Sequence, residues 1–107
     1  KESNRILNDT KLLEHAGVFS IVLECVETKL SKQITKNIKI PTIGIGSSSN
    51  CDGQVLVIDD LIGMSDSRFK FVKRYVDVSK IINSAVKKYK NEVKNKKFPK
   101  AKHSFTN

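Results

Sequence analysis

A single carboxylate interrupts the most apolar part of the sequence. Residues 18–27 read VFSIVLECVE, and Glu24 follows a nearly continuous apolar run, which is typical of a strand buried on both faces of a parallel sheet. In many α/β enzymes reactive groups project from the carboxyl ends of such strands, where a carboxylate can accept a proton from a substrate. The alternative is a strand-end glutamate that is solvated or paired with a lysine. The pattern alone favours this second interpretation.

Three residues near this strand and the next are further candidates. Cys25 follows Glu24 and is predicted to point to the opposite side of the strand, as a packed thiol rather than a nucleophile. Gly44 and Gly46 lie in the stretch TIGIG. They could admit a substrate, or they could simply relieve crowding between neighbouring strands, and both interpretations stay open.

The remaining acidic and imidazole side chains suggest no metal site. Asp52 precedes Gly53 and is interpreted as a turn or cap residue rather than a ligand. Asp59 and Asp60 are predicted at a strand end, where adjacent side chains face opposite ways and make a poor metal site. The two histidines, one on a predicted helix face and one in the tail, are His15 and His103. The segment GIGSSSN lacks the Gly-Lys-Ser/Thr ending of a phosphate-binding loop.

The order of predicted elements is that of an α/β protein with a parallel sheet. Hydrophobic spacing and turn residues predict helices over residues 5–16, 27–38 and 69–94, and strands over residues 18–25, 42–46 and 54–59. Gly17 is the expected end of the first helix, and Pro41 forbids extension of the second. Three parallel strands cannot close a barrel and would leave two open edges, so the fold looks incomplete.

Composition narrows the class of protein. The 107 residues carry a formal net charge of +9, but most of the excess is lysine in the C-terminal half, without aromatic residues interleaved for base stacking. This pattern favours a solvated helix face and tail over a nucleic-acid contact. No apolar run is long enough for a transmembrane helix, and we expect a cytoplasmic protein that does not bind membranes. Two cysteines predict reduced thiols, with neither a disulfide framework nor a zinc site.

Three motifs together carry a resemblance to a known family. They are AGVFSIVLECV, IPTIGIG and CDGQVLV, followed by FKFVKRYVDVSKIINSAVKKYKNEVKNKKFP and the terminal HSF. In combination they resemble the C-terminal part of the ketopantoate hydroxymethyltransferases, also called 3-methyl-2-oxobutanoate hydroxymethyltransferases. The resemblance runs from about Asn8 to Phe105. One departure is visible, because the commonest family form continues GIGAG where this sequence has GIGSSS.

The resemblance implies both a fold and a reaction. The fold is a (βα)8 barrel of the phosphoenolpyruvate/pyruvate type, of which residues 1–98 would supply strands six to eight and residues 99–107 a tail. Members of the family transfer a hydroxymethyl group from 5,10-methylenetetrahydrofolate to 3-methyl-2-oxobutanoate, giving 2-dehydropantoate for coenzyme A synthesis. A magnesium ion holds the keto acid, and its ligands lie on earlier strands outside this sequence. The complete enzyme is expected to be a homo-oligomer, a decamer by resemblance.

The same resemblance assigns a role to Glu24. The reaction removes a proton from the carbon next to a ketone, and the proton acceptor of the family aligns with Glu24. The 107 residues alone are expected to be inactive, because the metal and substrate ligands are elsewhere. Two alternatives are a non-catalytic assembly or interaction remnant of the same fold and, less favoured, a small basic nucleic-acid binder.

Overall fold

The computed structural model of the chain describes residues 1–105. Helices and strands alternate over its first half, whereas its second half contains helices and irregular segments. The elements are α1 (Glu2–His15), β1 (Ile21–Glu24), α2 (Thr28–Asn37), β2 (Thr42–Ile45), β3 (Gly53–Gln54), α3 (Ile58–Leu61), α4 (Val78–Lys94) and a 3₁₀ helix (Ala101–His103). The chain is therefore an α/β protein, as predicted.

The three strands form one parallel sheet in the order β1-β2-β3. Leu23 is aligned with Gly44 and Glu24 with Ile45, so the carboxyl ends of β1 and β2 lie at the same edge. The pairing of β3 is shorter and aligns Ile43 with Gly53. Helix α2 connects β1 to β2, which is the βαβ unit that a parallel pair requires. The predicted parallel sheet is confirmed.

The core lies on one face of this sheet. Leu23 is 3% exposed, and Ile34 of α2 is fully buried against the same cluster. The buried apolar residues of this cluster are Ile21, Leu23, Leu30, Ile34, Ile38 and Cys51. On the opposite face Val22 is 59% exposed. The prediction that β1 is buried on both faces is wrong for this chain, because within residues 1–105 only one face is covered by helices.

Local signals in the sequence explain where α1 and α2 begin and end. Gly17 follows α1 with a φ of +93°, a conformation that glycine adopts without strain. The Glu27 carboxylate accepts a hydrogen bond from the Leu30 amide at 3.0 Å, which caps the first turn of α2. Ile38 is already extended, and Pro41 precedes β2. The predicted helices over residues 5–16 and 27–38 are confirmed, although α1 begins three residues earlier.

The predicted strand over residues 54–59 is largely wrong. β3 ends at Gln54, although the Val55 amide still donates to the Gly44 carbonyl at 3.0 Å. The chain then turns into α3, where the Val57 carbonyl accepts hydrogen bonds from the amides of Asp60 and Leu61. After α3, the Asp59 carbonyl accepts from the amides of Met64 and Ser65 and closes a compact turn. A short apolar run such as QVLVID fits two structures equally well, a single strand or the end of a strand followed by a helix. Its periodicity does not distinguish between them.

The predicted helix over residues 69–94 begins only at Val78. Before it, the Tyr75 amide donates to the Leu61 carbonyl at 2.8 Å, and the Val78 amide donates to the Ile62 carbonyl at 2.9 Å. Segment 69–77 is thus tied to the end of α3, and its internal bond from the Val72 amide to the Phe69 carbonyl at 3.0 Å closes a single turn rather than an α-helix. Asp77 caps α4 through the Lys80 amide at 3.1 Å.

Helix α4 extends away from the sheet. The radius of gyration is 23.5 Å, whereas a compact chain of this length has about 13 Å. None of the α4 side chains is buried by the rest of residues 1–105, and Ile82, Val86 and Tyr89 form part of an exposed apolar stripe. The predicted tail, residues 99–107, contains the 3₁₀ helix, and its last two residues lie outside the described part. Within residues 1–105, no helix is both long and apolar enough to cross a membrane.

Candidate active site

Glu24 is the last residue of β1 and lies at the carboxyl edge of the sheet. Side chains alternate along a strand, so Glu24 and Val22 share the face opposite to Leu23 and the helices. The Glu24 side chain is exposed on that face, beside its aligned neighbour Ile45. This is the position from which a carboxylate can reach a ligand bound over the carboxyl edge of the strands.

The turn after Glu24 has an unusual backbone. The Cys25 amide continues the sheet by donating to the Ile45 carbonyl at 2.9 Å, but Cys25 itself has a φ of +53°. This left-handed conformation turns the chain sharply out of the strand and leaves the Cys25 side chain exposed. The prediction of a packed thiol is therefore wrong, because it assumed that strand geometry continues through residue 25.

A serine from the neighbouring loop holds this turn. The Ser47 hydroxyl donates to the Leu23 carbonyl at 2.7 Å and accepts from the Val26 amide at 3.0 Å. These two bonds connect the loop after β2 to both sides of Glu24. Sequence reasoning did not select Ser47 as a site residue. The available signal was the departure of GIGSSS from the family form GIGAG, which puts a hydroxyl where alanine is commonest.

Both glycines of the TIGIG stretch have steric reasons to lack a side chain. A Cβ atom on Gly44 would lie 2.9 Å from Nε2 of Gln54 and 3.2 Å from Sγ of Cys51. Gly46 has a φ of +63°, and a Cβ atom there would lie 3.0 Å from the Phe71 ring. Crowding is therefore one reason for glycine at both positions. A contact of Gly44 or Gly46 with substrate stays a prediction.

Two concave regions adjoin the carboxyl edge and share Gly46, Gln54 and Phe71. One has a volume of about 560 Å³, and its lining residues are Cys25, Thr28, Gly46, Ser47, Gln54, Lys70 and Phe71. The other has a volume of about 580 Å³ and is mostly apolar, with Lys73 as its charged residue. Each is large enough for a small organic molecule, and each presents a lysine to an anionic ligand.

The carboxylates of Asp52 and Asp60 have structural roles. Asp52 lies in the bend before β3, as predicted for a turn residue, and its carboxylate accepts a hydrogen bond from the Thr42 amide of β2 at 2.8 Å. Asp59 and Asp60 lie in α3, which corrects their predicted place at a strand end, and the buried Asp60 carboxylate accepts from the Ser65 hydroxyl.

Glu27 also has a structural role. Backbone amides of Lys29 and Leu30 lower the pKa of the Glu27 carboxyl below its ordinary value of 4.5.

The histidines are not part of the site. His15 lies in α1, as predicted, and is its last residue. His103 lies in the 3₁₀ helix, with its ring 5.2 Å from that of Phe98. Within residues 1–105, no three side chains of histidine, cysteine, aspartate or glutamate lie close enough together to hold a metal ion.

Comparison with known proteins decides the family. The sequence model of the family described as ketopantoate hydroxymethyltransferase matches residues 1–101. The chain belongs to this family. A relative from Pelagibacter ubique, named 3-methyl-2-oxobutanoate hydroxymethyltransferase, is 61% identical over 97% of this chain and 40% of its own length. Relatives with the same name from Carboxydothermus hydrogenoformans and Syntrophus aciditrophicus are 54% and 52% identical.

These comparisons also define the extent of the match. The chain spans about two fifths of the length of the relatives it matches, for example 40% and 39% for the first two. The resemblance inferred from AGVFSIVLECV, IPTIGIG and CDGQVLV is thereby confirmed. The small parallel sheet, with successive strands as neighbours and a helix between β1 and β2, is consistent with a fragment of a barrel of this ketopantoate hydroxymethyltransferase family.

Proposed function

We propose that the chain is the C-terminal portion of an enzyme that transfers a hydroxymethyl group from 5,10-methylenetetrahydrofolate to 3-methyl-2-oxobutanoate. The product is 2-dehydropantoate. Family membership over residues 1–101 supports this proposal, as do the names of relatives that are more than 50% identical. In the complete (βα)8 barrel, residues 1–98 contribute strands six to eight with their helices, and residues 99–107 form a tail.

The position of Glu24 is the observation that carries the proposal. A barrel keeps its helices outside and its reactive groups at the carboxyl edge of the strands. Glu24 is at that edge, on the sheet face that carries no helix in residues 1–105, and its carboxylate is exposed to a ligand placed there. The sheet bond from Cys25 to Ile45 holds the backbone beside it. This placement suits a group that must reach a substrate carbon.

In the proposed reaction Glu24 acts as the proton acceptor. Its carboxylate takes the proton from C3 of the keto acid, next to the ketone, and the electron pair of the broken C–H bond makes C3 nucleophilic. C3 then forms the new carbon–carbon bond to the methylene carbon, whose two bonds to folate nitrogens are broken. Water supplies the hydroxyl oxygen of the product, and tetrahydrofolate leaves with the proton from C3 and one proton of that water on its two nitrogens. A general base of this kind contributes roughly 10²- to 10⁴-fold to the rate of a proton transfer.

The remaining components are assigned by resemblance. Magnesium would be held by residues outside these 107, and the complete enzyme would be a cytoplasmic homo-oligomer, a decamer in the form proposed. Its proposed partners are the two small-molecule substrates, and we propose no binding to a nucleic acid or a membrane. Gly44 and Gly46 border the carboxyl edge, and we retain them as residues that allow a substrate to approach the backbone.

The test compares the complete enzyme with the isolated segment. Formation of 2-dehydropantoate is measured with purified complete enzyme and with purified residues 1–107, each given both substrates and magnesium. We expect turnover only by the complete enzyme. An inactive complete enzyme would overturn the proposed reaction, whereas turnover by residues 1–107 alone would overturn the proposal that the segment depends on the other strands.

A second candidate is a non-catalytic interaction remnant of the same fold. The exposed apolar stripe of α4, which includes Ile82, Val86 and Tyr89, favours it because such a surface normally has a partner. Sedimentation of residues 1–107 separates the possibilities. A discrete oligomer that dissociates when Val86 is replaced by lysine supports this second candidate, and a monomer or a heterogeneous aggregate contradicts it.

A further inference from the structure

Three hydrogen bonds hold the backbone on both sides of Glu24, and none of them involves the Glu24 side chain. The Ser47 hydroxyl donates to the carbonyl of Leu23, directly before Glu24, and accepts from the amide of Val26, two residues after it. The Cys25 amide donates to the Ile45 carbonyl. The backbone from residue 23 to residue 26 is thus fixed to the end of β2 and the loop that follows it.

This fixation matters because the turn is strained. Cys25 has a φ of +53°, a left-handed conformation that strains the backbone of a residue with a Cβ atom. Without bonds that favour it, residue 25 relaxes toward negative φ, and the direction of the Glu24 side chain changes with the backbone. The two bonds of Ser47 span the strained residue and oppose that relaxation.

The loop that carries Ser47 is itself well held. Gly46, directly before it, packs under the Phe71 ring. Ser48, directly after it, is 2% exposed, and its carbonyl accepts from Nε2 of Gln54 at 2.9 Å. The residues on both sides of Ser47 are therefore held in place, so its hydroxyl is a fixed hydrogen-bond partner for the end of β1.

We propose that Ser47 is a positioning residue for Glu24, an inference that rests on the proposed role of Glu24 as proton acceptor. The hydroxyl proton of Ser47 is engaged with the Leu23 carbonyl, and its oxygen accepts from Val26. Ser47 therefore acts through the backbone and not as a nucleophile. The bond from the Cys25 amide to the Ile45 carbonyl stays when the Ser47 hydroxyl is removed, so loss of the clamp should slow the enzyme without inactivating it.

The experiment uses the complete enzyme that contains this segment and compares four variants. Ser47→Ala removes the clamp, Ser47→Thr keeps the hydroxyl, and Ser49→Ala removes a hydroxyl from an exposed serine two residues away. Glu24→Gln is run in parallel to test the proposed base. For each variant kcat, KM, the exchange rate of the C3 proton of 3-methyl-2-oxobutanoate and Tm are measured.

We expect Ser47→Ala to lower kcat and the exchange rate about five- to tenfold, the equivalent of about one ordinary hydrogen bond, with KM changed less than about twofold. Ser47→Thr should keep most of the wild-type exchange rate, and Ser49→Ala all of it. An exchange rate unchanged in Ser47→Ala, with or without a lower Tm, overturns the positioning role. If Ser47→Ala does not fold, Ser47→Thr decides, because a loss of exchange in a folded enzyme that keeps the hydroxyl contradicts the clamp.

The two proposals fail in different ways. If the C3 proton still exchanges in Glu24→Gln, Glu24 is not the base, and the proposal that Ser47 positions it is overturned as well. Exchange that disappears in Glu24→Gln but is unchanged in Ser47→Ala leaves the base in place and overturns the role of Ser47 alone.

Discussion

The Asp52 carboxylate joins the start of β3 to the start of β2 through Thr42. Its Oδ2 atom accepts from the Thr42 amide at 2.8 Å, and the Thr42 hydroxyl lies 3.2 Å from the same oxygen. That hydroxyl also lies 2.8 Å from Oγ1 of Thr35 in α2. Thr42 is fully buried, so water cannot replace these partners without rearrangement. One aspartate thus connects two strands and a helix at the amino edge of the sheet.

Replacing Asp52 should lower stability more than activity. Asp52→Ala leaves the buried Thr42 amide without its acceptor, and we expect a loss of about 1–3 kcal/mol in the free energy of unfolding of the complete enzyme. Asp52→Asn is the matched control, because its amide oxygen can still accept from Thr42, and it should lose less. Denaturant unfolding measures both variants. Equal stability of Asp52→Ala and wild type would contradict the structural role.

The cap of α2 predicts a specific dependence of stability on pH. Backbone amides of Lys29 and Leu30, together with the Lys29 charge, lower the pKa of the Glu27 carboxyl below 4.5. A depressed folded-state pKa contributes stability that is fully present above the unfolded value and is lost as the pH falls through the folded value. We therefore expect Tm to fall more steeply on acidification below about pH 4.5 in wild type than in Glu27→Gln. If Tm falls with pH at the same rate in wild type and Glu27→Gln, the charged cap contributes nothing to stability.

Three glycines with positive φ should respond differently to alanine. Gly17→Ala adds only backbone strain, because among the described residues no atom lies within 4 Å of the new Cβ. Gly46→Ala adds contact with the Phe71 ring at 3.0 Å, and Gly63→Ala places Cβ 2.6 Å from the Val76 carbonyl oxygen. We expect a cost of about 1–2 kcal/mol at Gly17, more at Gly46 and most at Gly63.

A double variant separates strain from contact at Gly46. Phe71→Ala removes the ring carbons that the new methyl group meets, so Gly46→Ala should cost less stability in a Phe71→Ala background than in the wild type. Chemical denaturation of the complete enzyme gives all the values. An equal stability cost of Gly46→Ala in both backgrounds would mean that backbone strain alone accounts for the loss of stability.

The sequence predicted the first half of the fold well because its local signals agree with one another. Hydrophobic spacing, Gly17 and Pro41 all indicate the same ends for α1, α2 and β2, and the structure confirms them. The second half was predicted less well. The bonds from Tyr75 and Val78 back to the end of α3 connect residues about fourteen to sixteen positions apart, and periodicity in a short window does not report them.

Only part of the candidate site was predicted from the sequence, for a similar reason. The place of Glu24 at a strand end followed from the apolar run, whereas the role proposed for it came from family resemblance. The exposure of Cys25 depends on one positive φ, which no pattern in LECV indicates. The clamp by Ser47 depends on hydrogen bonds to residues more than twenty positions away, and only the tertiary structure shows them.

The most direct test of this account is the exchange of the C3 proton of 3-methyl-2-oxobutanoate in deuterated water, followed by NMR. It is measured with the complete enzyme and with its Glu24→Gln variant, whose side chain has nearly the same size but does not accept the proton. We expect the variant to bind the keto acid and to lose exchange by at least roughly 10²-fold. Exchange by the variant at the wild-type rate would show that another group removes the proton.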